Sequence, residues 1–218
     1  MRRTVKNIYG LWCQYGQVPL AVRTRVTIRF LTCPFRAFLL AVDKSAHILD
    51  VGCGDGQLLH WLIKEPGTQR TGVGVDIDAD KVGHAKMATI PGVVFSQQEI
   101  SNFPDSNFDG VTIAHVLYLI PVHQWRKLLI QCARVLKPGG VLAVMEVVDD
   151  GSWKSRLAHL QELISVYVTR MTQGEVVKIW KEGVYLEEIQ KVFGEGSVVA
   201  MRADDGYLHP HVLFVARK

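Results

Sequence analysis

Short apolar runs alternate with amphipathic stretches along most of this chain. His47-Ile48-Leu49 opens one such run and leads through Asp50-Val51 into three glycines at alternate positions, Gly52, Gly54 and Gly56. From Gln57 to Ile63 the apolar residues recur at helical spacing, and Pro66-Gly67 breaks the helix near Glu65. The pairing then repeats. A strand over Thr71–Asp76 precedes a helix over Ala79–Thr89, and Val93–Phe95 reads as a third strand. Gly110–Ala114 precedes an amphipathic helix from Val122 to Leu136, with Trp125, Leu128, Leu129, Cys132, Val135 and Leu136 as its buried stripe. Lys137-Pro138-Gly139-Gly140 should end that helix, and Val141–Met145 is a fifth strand. Such continuous apolar runs suit parallel strands covered on both faces, so the pattern predicts an α/β, doubly wound sheet. Further on, it predicts a helix from Trp153 to Met171, a looser piece over Thr172–Gly183 and a short helix over Leu186–Phe193. Strands six and seven fall at Ser197–Met201 and Val212–Arg217, with Asp204-Asp205-Gly206 as turn chemistry between them.

Residues 1–44 read as a helical cap or arm, and 45–218 as the core domain. Tyr9, Trp12, Cys13 and Tyr15-Gly16 make a first helix and its stop. Val22, Val26, Ile28, Phe30 and Leu31 interleave with Arg23, Arg25 and Arg29, and Pro34 resets the chain before a short helix over Phe35–Val42.

Charge changes the picture of this arm. Up to Lys44 there are eight Lys/Arg and one acid, Asp43, so the net +4 of the chain is an N-terminal property. Two readings fit: a solvated arm whose arginines cover the core, or a contact with an anionic surface, acidic lipid or nucleic acid. Composition adds exclusions. With 218 residues and 48% hydrophobic content, one domain can bury a full core. No uncharged apolar run reaches the ~18 residues of a transmembrane segment. The uncharged stretch Gly110–Trp125 contains two histidines and a proline. The basic N-terminus lacks the apolar region and cleavage site of a signal peptide. Cys13, Cys33, Cys53 and Cys132 show no CxxC or zinc spacing, so no metal is expected, and a cytoplasmic setting is the simplest.

The candidate chemistry sits at the glycine turn. Its spacing is GxGxG rather than the GxGxxG of dinucleotide sites. Asp50, at the strand tip, would repel a pyrophosphate but accept hydrogen bonds from a cationic ligand. Glycine lets the turn use positive φ and lets a ligand lie against the backbone. Asp76 follows the loop by about twenty residues, the offset that places a carboxylate on ribose hydroxyls in doubly wound folds. The alternative is a helix N-cap, with Asp78 and Asp80 nearby.

The glycine loop, Asp76, the stretch Phe103-Pro104-Asp105-Ser106-Asn107-Phe108-Asp109 and the Arg134-to-Gly140 step occur in one order. Together they resemble the class I S-adenosylmethionine (SAM) dependent methyltransferases. That resemblance implies a seven-stranded, mostly parallel sheet with strand seven antiparallel, and pre-core helices covering the active site. It implies SAM as cofactor, with Asp50 and the backbone of Gly52, Cys53, Gly54 and Gly56 on the amino-acid part. Asp76, with Ile77 beside it, would hold the ribose. Glu99 and Ile100 stand where the family carries Gly-Asp-Ala against the adenine; the longer Glu99 is a departure. His115, just after strand four, would face the cofactor.

Methyl transfer from a sulfonium mainly requires a positioned nucleophile, and a base only where the acceptor must lose a proton. His115 is the sequence candidate for a base, or else a histidine lining the cofactor site by packing. Tyr118, Asp149 and Arg29 are candidates to touch the acceptor, and Glu146 and Asp150 stand beside them. His209 and His211 read as surface or rim residues. The position after strand four reads His115-Val116-Leu117-Tyr118, not the Asn/Asp-Pro-Pro-Tyr/Phe of base amino methylation, which argues against a nucleic-acid partner. Three readings follow: a methyltransferase acting on a small-molecule or lipid-like acceptor, a nucleotide-dependent oxidoreductase of the NAD type, or a SAM-binding protein without catalysis.

Overall fold

The computed structural model describes residues 2–42, 45–163 and 178–218. Three helices come first: α1 (Arg2–Gln14), α2 (Leu20–Thr32) and α3 (Arg36–Ala41). The core then alternates through β1 (His47–Val51), α4 (Gln57–Ile63), β2 (Thr71–Val75), α5 (Ala79–Met87), β3 (Val93–Ser96), β4 (Phe108–Ala114), α6 (Val122–Val135) and β5 (Leu136–Val147). It closes with α7 (Trp153–Leu163), α8 (Glu182–Phe193), β6 (Val198–Arg202) and β7 (His211–Arg217). The continuation of the expected α7 to Met171, and most of the looser piece after it, lie outside the described residues. None of the described helices is long and apolar enough to cross a membrane.

The sheet order is β3-β2-β1-β4-β5-β7-β6. The first five strands are parallel, and β7 runs antiparallel between β5 and β6. Strand order reverses between β1 and β4, where Val51 pairs with Ile113. Ligands of open α/β sheets bind outside the strand ends at such a reversal. Helices cover both faces. Trp125, Leu129 and Cys132 of α6 and Tyr185 and Ile189 of α8 pack on one side of the strands. Phe38 of α3, Leu58, Leu59 and Leu62 of α4, and Val82 and Ala85 of α5 pack on the other.

Polar ties set the element ends. Asp78 caps α5, accepting from the N–H groups of Asp80 and Lys81 at 3.1 and 3.2 Å. Buried Arg70 donates to the carbonyls of Ser45, Leu62 and Val42 at 3.2, 3.2 and 3.0 Å, fixing the approach to β1. Asp109 accepts from His47 N at 2.8 Å and from Lys137 Nζ at 2.7 Å, joining the starts of β1 and β5. The helix α6 stops at Val135, one residue before the expected Leu136, but β5 starts ahead of the expected Val141 and takes in the Lys137-to-Gly140 step, because Leu136 pairs with Phe108 and is already extended. Leu128 is only half-buried, and α8 begins four residues earlier than its apolar pattern suggested, at Glu182.

Candidate functional site

The glycine turn stands at the strand-order reversal. Gly52, Gly54 and Gly56 have φ of 72°, 54° and 80°, as a turn relying on glycine requires. Two of them are also tied by space. A Cβ on Gly52 would lie 2.4 Å from Val116 Cγ2, and one on Gly56 would lie 2.5 Å from Phe95 Cζ. Asp76, just past β2, holds the turn from below: its Oδ2 accepts from Gly54 N at 2.7 Å and its Oδ1 from Asp78 N at 2.9 Å. A carboxylate has about four lone-pair sites, so these bonds leave acceptor capacity for hydroxyls. Asp78, not Asp76, is the helix cap. The neighbouring Ile77 is 72% exposed, an apolar surface next to that carboxylate.

Asp50 is buried at the tip of β1, beside β4, and accepts from Thr112 Oγ1 at 2.7 Å. Burial pushes its carboxyl up to about 7, against the pull of Thr112 and Arg29; Asp76 adds to the rise. Asp50 lines a cavity of about 10 Å3 with Arg29, Phe35, Gly52, Gln57 and Ala114, room for about one water. Arg29 reaches in from α2 and donates to Ala114 O at 3.1 Å. Burial works against its charge, but Cys33, Tyr118, Asp55 and Asp50 more than offset this and raise its pKa. Gln57 Oε1 is buried with no hydrogen-bond partner among the described residues. The cavity thus joins an acid, a guanidinium and an orphaned acceptor, donor chemistry suited to a small zwitterion.

The basic arm grips the outside of the same turn. Arg25 contacts the carboxylate of Asp55 at 2.7 to 3.1 Å, and His84 Nδ1 lies 3.2 Å from it. Tyr15 donates its hydroxyl to Asp55 O at 2.7 Å, and Gln57 Nε2 donates to Val26 O at 2.7 Å. Arg23 lies 4.1 Å over the Trp12 ring and donates to Trp12 O. The arginines of α2 are therefore spent inward, on the core and on the arm itself. Sequence reasoning missed Arg25, Gln57 and Tyr15. The excess of basic residues in the arm, set against Asp55 in the glycine turn, was the signal available.

His115 ends β4 with φ 60°, a left-handed conformation that is uncommon outside glycine. Its Nε2 lies 3.2 Å from His211 Nδ1, and His211 Nε2 lies 3.1 Å from Thr32 O. A carbonyl only accepts, so His211 carries its proton on Nε2 and His115 donates from Nε2. That leaves the His115 Nδ1 lone pair facing Cys33 Sγ at 3.6 Å. Burial, His211, Arg29 and His209 hold His115 well below the usual imidazole range. Burial likewise pulls His211 down to about 4; His209 and Arg29 add to this, and the Thr32 carbonyl and Asp204 oppose it. His211 is 1% exposed, which corrects its reading as a rim residue. The turn between β6 and β7 brings it under Thr32 of the arm, a contact with no local sequence sign.

The remaining candidates scatter. Buried Tyr118 packs with Leu119 and Leu163. Asp149 is exposed and accepts from Gly151 N at 3.0 Å and Ser155 Oγ at 3.1 Å, fastening the entry to α7. Glu146 is buried, and its Oε1 accepts from Val116 N and Leu117 N at 3.0 and 2.8 Å, so it shapes the turn after β4. Glu99 is exposed and accepts from Ser101 Oγ at 3.1 Å, while Ile100 is buried in the core.

Residues 48–140 match the family model described as a methyltransferase domain. A probable methyltransferase, ltbC of Aspergillus luteorubrus, is 39% identical over 127 residues, 52% of this chain and 44% of that protein. A demethylmenaquinone methyltransferase of Listeria welshimeri is 28% identical over 181 residues, 78% of this chain and 73% of the relative. Among solved structures, human N-acetylserotonin methyltransferase in complex with SAM superposes with a TM-score of 0.65 at 21% identity, over 85% of this chain and 52% of that one. The SAM-dependent methyltransferase SibL in its apo form gives 0.69 at 20% identity, over 95% and 61%. The chain spans less than half the length of the fungal relative and about half that of the human structure. At these identities the structural likeness establishes the fold.

Proposed function

We propose, for a chain that belongs to the class I S-adenosylmethionine-dependent methyltransferases, that it transfers the methyl group of SAM to a small-molecule acceptor by in-line displacement. The observation that carries the reading is the cavity at the glycine turn, where Asp50, Arg29 and the orphaned Gln57 Oε1 converge. An α-amino acid presents a cation and an anion a few ångströms apart. Asp50 and Gln57 match the ammonium, and Arg29 matches the carboxylate with a forked, charge-assisted contact. The cavity has room for about one water, so entry of the amino-acid end requires the side chains that line it to give way. Asp76 takes the ribose hydroxyls on its spare lone pairs, and Ile77 offers an apolar surface to the adenine side. Glu99 and Ile100 remain the sequence's candidates for the adenine edge.

The cofactor supplies a methyl group on a sulfonium, activated enough for displacement by a lone pair. The residues around it bind, orient and exclude water. His115 is not used as a free base in this reading: burial holds its imidazole well below the usual range, and its Nδ1 faces Cys33 Sγ at 3.6 Å. It sets the backbone at the end of β4, and the reaction suits acceptors that need no buried base. The name of the demethylmenaquinone methyltransferase relative gives that protein a small-molecule acceptor, which supports this reading. The inward-turned arginines favour the arm as a cover for the site over the arm as a membrane contact.

Calorimetric titration with SAM and S-adenosylhomocysteine, with NAD as control, tests the proposal. Micromolar binding of the first two and none of NAD is expected. Binding of NAD alone would move the chain to the oxidoreductases. SAM binding without turnover on any acceptor would leave a non-catalytic SAM-binding protein.

A further inference from the structure

A second concavity lies beside the cofactor cavity. It runs between α3 and the β6–β7 hairpin and has a volume of about 290 Å3, at the lower end of small-molecule sites, roughly 300 Å3 and up. Its walls are apolar: Pro34, Ala37 and Leu40 on the helical side, Met201 and Leu213 on the hairpin side. Leu40 is 80% exposed and Met201 40%, so these walls face solvent rather than a packed neighbour.

The polar groups that line it have one sign. They are the guanidinium groups of Arg36 and Arg202, beside the neutral hydroxyl of Tyr207; among the described residues no carboxylate lines it. Arg202 is shared among Asp150, Glu182 and Asp204 at 3.8, 3.8 and 3.9 Å. Arg36 has no hydrogen bond or ion pair among the described residues. It is therefore the cation left for a ligand.

The groove also adjoins the site already described. Pro34 and Arg36 line it, while Phe35 between them lines the cofactor cavity. On the hairpin side, the Tyr207 ring stands edge-on to His211 with centroids 6.2 Å apart. His211 bonds to His115, whose neighbour Ala114 lines the cofactor cavity.

We infer that this groove is the acceptor subsite, and that it takes an aromatic carboxylate whose ring lies between α3 and the hairpin and whose anion pairs with Arg36. The inference rests on the methyltransferase reading above. A flat ring fits apolar walls bordered by Tyr207. The planar guanidinium fork matches a carboxylate in two parallel hydrogen bonds, which a neutral amide of the same shape does not reproduce.

The test uses naphthoate and its neutral isostere naphthamide as probes, with calorimetry on the full chain. Naphthoate should bind the wild type at least tenfold more tightly than naphthamide. Arg36→Gln should remove that difference by weakening naphthoate alone. Ala37→Trp, which fills the groove, should abolish both, and both variants should keep wild-type affinity for SAM. No naphthoate binding, no discrimination between the probes, or unchanged binding in Ala37→Trp each overturns the inference. A wild type that binds naphthoate but not SAM overturns the acceptor role together with the methyltransferase reading. A wild type that binds SAM but not naphthoate overturns the groove assignment alone.

Discussion

Asp50 is a carboxyl whose folded pKa, about 7, lies above its unfolded value of roughly 3.9. An acid raised on folding contributes stability below its unfolded pKa and loses it as pH rises through the folded one. Asp50→Asn should therefore stabilise the protein near about pH 8, on the order of 1 kcal/mol or more, and leave it unchanged near about pH 4. Thermal unfolding at the two pH values checks this. The same carboxyl should give SAM affinity a fall of about tenfold from about pH 8 to about pH 6, which Asp50→Asn abolishes. The histidine pair runs the other way. His115 and His211 are bases lowered by burial, so the stability they contribute is present above about pH 6.5 and lost as pH falls toward the folded value of His211, about 4. Nitrogen-15 NMR should find both rings neutral from about pH 8 to about pH 5, against an unperturbed histidine near 6.5. Titration of either near 6.5 would sink the tautomer assignment and, with it, the orientation of His115 toward Cys33. Asp76→Ala should weaken SAM by at least about tenfold, or about 1.4 kcal/mol. An unchanged dissociation constant in a folded variant would remove the ribose role.

Local rules placed the elements well wherever the signal is local. Asp78 caps α5 because a short carboxylate just before a helix accepts its first N–H groups. The step after α6 shows where local rules run out. Lysine, proline and two glycines mark the helix stop correctly, but the pairing of Leu136 with Phe108 starts β5 ahead of them rather than at Val141. Arg70 ties three segments that no periodicity links. Arg70→Met would leave the carbonyls of Val42, Ser45 and Leu62 without their charged donor, at a cost of roughly 3 kcal/mol. For a chain of this size that lowers the melting temperature by about 6–12 °C. A change below about 2 °C would mean that water replaces the guanidinium there.

At the scale of the whole molecule, the arm and the core meet over the glycine turn. Arg25, Tyr15, Val26 and Arg29 fasten α1 and α2 to Asp55, Gln57 and Ala114. Any ligand that enters between Asp50 and Arg29 must couple to the position of α2. Hydrogen exchange should therefore change in residues 20–32 when SAM binds, while the amides of β4 and β5 stay as protected as before. Exchange in α2 indifferent to SAM would show that the amino-acid end sits elsewhere. Arg25→Met should loosen the arm and raise exchange in the same residues without ligand.

The sequence by itself determined the alternating strand–helix order, the glycine turn with its left-handed residues, and the two acids at the tips of β1 and β2. These follow from backbone sterics, from periodicity, and from spacings set by one βαβ step, all of which act within some thirty residues. Only the tertiary structure decided that Arg29 and Gln57 share a cavity with Asp50, that His211 is buried against His115, and that Tyr118 lies in a packed cluster. Each of those results brings together residues far apart in sequence, Thr32 and His211 across most of the chain. Burial of a polar side chain depends on which distant segment covers it, and a linear pattern carries no record of that.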